Sequence, residues 1–283
     1  MDKQTEKTFN LKMRVINVVI QPSEKHDKEN YVKLIEKVFS QGNSFVTSND
    51  KITKMRSLNA HGDMRYGVLI NYTSRKDDAL WYDSADDKLV NPQLDPNLNP
   101  NAKEWEFYFD AESHKIGIPS KKGVSFPQVT KFFISAFNKA AEPLGFDGVV
   151  VNVVSSQNGI DAIFGLEEVD SLTVQVSYSN NDTNEESDQL IDDEMKEQNF
   201  GTVKAIVKSP SNGKIRLKVK SWLGSLVRLS KNNGYVKAEG RKEGRVQKIN
   251  TDQYPRILSF KKLTENTLIG KISDAFRNLN DNE

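Results

Sequence analysis

Residues Phe9–Ile20 read FNLKMRVINVVI. Phe9, Leu11, Met13 and Val15 alternate with polar neighbours, and Val18–Ile20 continue the apolar run. Side chains on a strand point to opposite faces with a period of two, so this spacing predicts a β-strand with one buried face. A helix follows. Between Asp27 and Ser40, the side chains of Tyr31, Leu34, Ile35, Val38 and Phe39 fall on one side, and Gly42 stands where a left-handed C-cap belongs. Lys51–Ala60 and Met64–Thr73 read as two strands around the turn His61-Gly62-Asp63.

The stretch Asn91–Asn101, NPQLDPNLNPN, holds three of the nine prolines and is expected to be an exposed loop or a linker. It suggests a division into an N-terminal α+β subdomain over residues 1–100 and a C-terminal α+β domain over 101–283. Glu104–Asp110 alternates with Trp105, Phe107 and Phe109, and Lys115–Ile118 is its expected partner. Ser125 and Pro127 start a helix, whose stripe is Val129, Phe132, Phe133, Ala136, Phe137 and Ala140. The run VVVNVV, 149–154, predicts an interior strand. Beyond it the spacing predicts a short helix over Gly159–Leu166 and a strand through Leu172, Val174 and Val176. An acidic helix then runs from NNDTNEESD to about Gln198. After it come a strand over Val203–Val207, a helix over Lys220–Lys231, a hairpin over Asn233–Asn250, a strand over Arg256–Leu263 and a final helix carrying Ile272 and Phe276. The fold class is therefore α+β, with mixed or antiparallel sheets, packed helices and two subdomains.

Composition excludes several chemistries. The 283 residues include no cysteine, which removes disulfides, thiolate nucleophiles and cysteine-ligated zinc. No run approaches the roughly 18 apolar residues of a membrane helix, so no membrane insertion is expected. The charged start MDKQTEKTFN lacks the apolar core of a signal peptide, which points to the cytoplasm. His26, His61 and His114 are the only histidines and none has another at metal-ligand spacing; His26, in a loop, and His61, in a turn, read as surface residues. Asp188, Asp192, Asp193 and Glu194, with Glu185 and Glu186, could hold a magnesium ion in a nuclease, but on a helix they read as a solvated acidic face. No phosphate-binding glycine motif is present. GIPSKKG, 117–123, could offer Lys121 and Lys122 to an anion at the start of the next helix, or be a plain connection. No catalytic residue, metal or cofactor is predicted.

Charge is distributed in blocks. Asn158–Asn199 holds twelve acidic residues and one lysine, whereas Phe200–Lys262 holds sixteen Lys plus Arg against three acids. Such asymmetry marks a charged partner or contact between the blocks. Within SNGKIRLKVK, Lys214, Arg216, Lys218 and Lys220 recur every second residue while Ile215, Leu217 and Val219 fill the gaps. If extended, the segment lines its cations along one face about 6.5 to 7 Å apart, close to the phosphate spacing of a nucleic-acid strand. The alternative is an edge strand guarded by lysine. The hairpin NGYVKAEGRKEGRVQKIN adds Lys237, Arg241, Lys242, Arg245 and Lys248, and Lys204 and Lys208 flank the preceding strand. The candidate nucleic-acid contacts are Lys214, Arg216, Lys218, Lys220, Lys237, Arg241, Lys242 and Arg245.

The run SYSNNDTNEESDQLIDDEMKEQNFGTVKAIVKS, the later NNGYVKAEGRKEGRV with its N-G-x-V-x-A-x-G pattern, and the D-x-x-P step of TDQYPRIL resemble a bacterial family, domain of unknown function 4747. That family's pattern carries a proline in the Asn-Asp motif, which Asn180-Asn181-Asp182 lacks. The resemblance implies an accessory protein of mobile elements or phage-defence loci. In layout alone the chain is more loosely similar to the lambda exclusion protein Rex A and to recombination-associated RdgC, which implies a homodimer that binds DNA without reading sequence. The expectation is a cytoplasmic, sequence-independent nucleic-acid binder with DNA favoured. Its alternatives are a metal-dependent nuclease component and a protein-interaction subunit that partners another defence protein.

Overall fold

The structure, a computed structural model, describes residues 7–75, 80–92, 95, 97–178, 186–211 and 213–279. The chain runs β1 (Phe9–Gln21), α1 (Lys28–Gln41), β2 (Ser44–Ser48), β3 (Lys51–His61), β4 (Met64–Thr73), β5 (Trp81–Asp83) and β6 (Lys88–Val90). It continues through β7 (Lys103–Asp110), β8 (Lys115–Pro119), α2 (Phe126–Ala141), β9 (Gly148–Val153), α3 (Gln157–Phe164), β10 (Glu168–Val176) and α4 (Glu186–Glu197). Last come β11 (Val203–Lys208), α5 (Trp222–Asn233), β12 (Gly234–Lys242), β13 (Arg245–Asn250), β14 (Ile257–Leu263) and α6 (Glu265–Arg277). The fold is α+β, and the strand pairings are antiparallel.

The larger sheet has the order β14-β1-β8-β7-β4-β3-β2, with β9 also on β1. Strand β1 is its pivot. Its first half pairs with β14, its second half with β9 along the same edge, and β8 takes the opposite edge. The expectation of one buried face is corrected here. Ile16, Val18 and Ile20 enter the core under α1 and α2, while Leu11, Met13 and Val15 enter a second core under α6. The C-terminal helix returns to cover the face that the sequence pattern left open, and Gly117 lets Phe276 approach where a Cβ would collide with it.

The periodic helices behave as read. Asp27 caps α1 by accepting from the Asn30 amide at 2.8 Å, and Gly42 closes it in the left-handed region at φ 61. Phe39 is the exception and stays exposed. All six stripe residues of α2 are buried. The division at residue 100 is crossed by the pairing of β4 with β7 and of β1 with β8, β9 and β14, so the two segments share one sheet.

The smaller sheet has the order β11-β10-β12-β13. One face carries Leu172, Val174, Val176, Val236, Ala238 and Ile249 into a core completed by α3 and α5. Buried polar side chains join the two sheets. Lys115 Nζ donates to Asn17 Oδ1 at 3.0 Å, and Asn17 Nδ2 donates to Asn233 Oδ1 at 2.8 Å. The Asn233 carbonyl accepts from Ser177 N and Oγ at 2.8 and 2.9 Å. Such groups are tolerated inside a protein because each finds a partner.

Candidate nucleic-acid interface

Directly opposed residues of an antiparallel pair share a face. On the face of the smaller sheet away from its core, the register sets Lys204, Ile206 and Lys208 of β11 beside Gln175, Thr173 and Ser171 of β10. Those lie beside Tyr235, Lys237 and Glu239 of β12, which in turn oppose Asn250 and Lys248 of β13. Arg241 joins the same face opposite Glu168 and Val246.

The segment carrying Lys214–Lys220 is an extended connection held to β10 by one bridge, Val169 to Ile215, and is not a regular strand. The expected alternation survives. Ile215 and Leu217 pack toward the smaller core while Lys214 and Arg216 are exposed. Because Ile215 shares the inner face with Val169, Lys214 and Arg216 are turned to the outer face, where Lys214 meets Asp170 in an ion pair. Period two stops at the end: Val219 is exposed beside Lys218 and Lys220, because the chain turns there into α5.

The tertiary structure thus divides the eight candidates. Lys214, Arg216, Lys237 and Arg241 share the outer face. Lys218 and Lys220 lie beyond it in the approach to α5. Lys242 and Arg245 oppose each other at the hairpin tip, one position out of phase with Arg241, and therefore on the opposite face. In exchange, Lys204, Lys208 and Lys248 join the outer face, a grouping the two-residue period could not supply because it works within one strand only.

Electrostatics on this face are mixed. Lys248 Nζ lies 3.3 Å from Glu239, and Lys237 Nζ stands 5.0 Å from the centre of the Tyr235 ring. Lys204, Lys208 and Arg216 have no ion pair among the described residues. Seven cations face three carboxylates, Glu168, Asp170 and Glu239. Lys121, offered by sequence as an anion ligand, is instead 2.8 Å from Glu106.

A family model described as a domain of unknown function, DUF4747, matches residues 9–279. The chain belongs to the DUF4747 family. No curated protein matches it. The N-G-x-V-x-A-x-G pattern by which the resemblance was read is the inner side of β12 in this DUF4747 chain. Asn233 bonds Asn17, Gly234 and Gly240 admit the carbonyls of Gln175 and Glu168, and Val236 and Ala238 are core. The x positions, Tyr235, Lys237 and Glu239, form the solvated side. The pattern therefore records packing. The Asn180-Asn181-Asp182 element and Glu185 lie outside the described residues.

The acidic helix is not the solvated face that its composition suggests. Asp188 is buried and receives Arg228 through Nη2 at 2.6 Å and Nε at 2.9 Å. Asp192, 1 % exposed, meets Lys196 at 2.7 Å. Asp193 faces outward and accepts from Gln189. Burial demands a counter-charge for a carboxylate, and α4 obtains these from α5 and from its own last turn. His26 is likewise corrected from a surface residue. It lies between Tyr178 and His114, with ring centres 5.1 and 6.3 Å away, and burial lowers its pKa.

Proposed function

We propose that the outer face of the smaller sheet binds a nucleic-acid backbone without reading its sequence, with DNA favoured, as a cytoplasmic homodimer in phage defence. The observation that carries the binding reading is the convergence of Lys204, Lys208, Lys214, Arg216, Lys237, Arg241 and Lys248 on one solvated surface. An uncovered sheet face gains nothing in stability from so many like charges, whereas phosphates would be positioned by them. The phage-defence and dimer components rest on the resemblance rather than on this surface. The nuclease alternative has less support, because Asp188 and Asp192 are engaged by Arg228 and Lys196.

Equilibrium binding to duplex DNA, single-stranded DNA and RNA across a salt series tests the reading. Each phosphate neutralised adds about −0.9 to the slope of log K against log salt on duplex DNA. Combined Lys204→Glu, Lys208→Glu and Arg216→Glu substitution is expected to flatten that slope by about two to three. Lys242→Glu with Arg245→Glu, on the opposite face, is the control and should leave it nearly unchanged. No binding at low salt, or equal losses in both variants, would overturn the assignment of this face.

A further inference from the structure

Strand β9 is expected from its apolar run to be interior, yet among the described residues β1 is its only strand partner. It is buried because α2 covers one of its faces and the smaller sheet's side of the molecule covers the other. One edge of the strand is therefore left over. Backbone groups along a strand alternate between its two edges. Val154 N–H donates to the Val15 carbonyl, which places residues 150, 152 and 154 toward β1. Residues 149, 151, 153 and 155 point away.

The two ends of that outward row are capped. The Asn138 side chain bonds both the N–H and the C=O of Val149, at 3.2 and 2.9 Å. Ser155 N–H donates to the Lys231 carbonyl at 2.7 Å. Among the described residues, no hydrogen bond takes up the N–H or C=O of Val151 or Val153.

These two residues border a groove of about 500 Å³ between β9 and α2. Phe126, Pro127, Thr130 and Ile134 form its helical wall, and Tyr235 closes the other side. Ile134 is 41 % exposed on a helix whose stripe is otherwise buried. Its charged lining groups are Lys131 and Asp252, and Asp252 has no ion pair among the described residues.

The geometry points to a peptide-binding site: an extended segment of a partner protein adds to β9 as a further strand, pairing with Val151 and Val153. Two outward N–H and C=O pairs at strand spacing call for a backbone in β conformation, which neither a helix nor a flat protein surface presents. The apolar wall favours aliphatic side chains on alternate positions, and the unpaired Asp252 favours a lysine or arginine at one end. The groove adjoins the basic face through Gln175 and Tyr235, but strand pairing on β9 does not depend on what that face binds.

The test uses the full chain and capped octapeptides alternating valine and threonine, with lysine or glutamate at one end. Saturable binding is expected with the lysine peptides, together with slowed amide exchange at Val151 and Val153 but not at Val150. N-methylation of one alternate set of peptide amides should weaken binding at least about tenfold, and methylation of the other set should be tolerated. Ile134→Asp should weaken it comparably. Absence of saturable binding, or indifference to which amides are methylated, would overturn the site. Self-association that Ile134→Asp abolishes, without peptide binding, would also overturn it and assign the edge to a second copy of the chain.

Discussion

The larger sheet buries both faces near its pivot, whereas the smaller sheet buries one. Around β1, two helical layers and the smaller sheet's side of the molecule leave almost no solvated surface, and the residues there are Val, Ile, Met and Phe. On the smaller sheet, the inner face has the same character, and the outer face is mostly polar and basic, with Ile206 and Tyr235 among its lysines, arginines, threonine and glutamine. The difference separates two pressures on sequence. Where both faces are covered, every residue answers to packing. Where one is open, side chains are released from packing, and their chemistry can serve a partner.

Stability measurements should separate these regions. The largest effect is expected from Phe133→Ala, in contact with Phe107, Phe132 and Phe137 under the larger sheet, at about 3–5 kcal/mol in urea denaturation. Asp188→Ala follows at about 3 kcal/mol, since it removes the carboxylate counter-charge of the Arg228 guanidinium in a largely buried site, while the bonds to the Val219 carbonyl and the Ser225 hydroxyl remain. The exposed Asp193→Ala on the same helix should change stability by less than about 0.5 kcal/mol. Equal losses at the two aspartates would remove the distinction drawn within α4.

A gain is expected from Lys231→Met. Burial, with nearby Arg256, lowers the Lys231 pKa to about 8, while the unfolded chain keeps the ordinary value of about 10.4. Between those values the unfolded state binds the extra proton, so stability rises with pH across about 8 to 10.4, and the full cost of the buried charge is felt below 8. The methionine variant should be more stable at pH 7 and lose that rise. A pH profile identical to the parent would place the lysine in solvent. The smallest effect is expected on the open face, where Lys208→Ala should alter stability by less than about 0.5 kcal/mol. A large loss there would mean that the face is structural after all.

Much of the fold was legible. The capped helix α1, the α2 stripe and the β3–β4 and β7–β8 hairpins follow from local periodicity, because each element shows its own buried side in sequence. The site was legible in part. The alternation of Lys214 and Arg216 with Ile215 and Leu217 holds in three dimensions. Which cations stand together did not follow, since Lys204 and Lys237 become neighbours only through the register on β10. Lys242 and Arg241 are adjacent in sequence and separated by the sheet. The burial of Asp188 was hidden for the same reason: its Arg228 partner lies forty residues on, in another helix.

Although the short strands β2, β5 and β6 were not read from it, the amino-acid sequence alone determined the helices and most of the strands, the Gly42 cap of α1, the absence of cysteine chemistry and the opposition of acidic and basic blocks. These are local or compositional properties, written in spacing and residue type. The tertiary structure alone decided that β1 is covered on both sides, that β9 keeps a free edge beside α2, and that seven cations from separate segments share one face. Each of those depends on pairing between distant strands, and hydrogen-bond register carries no trace within a single strand.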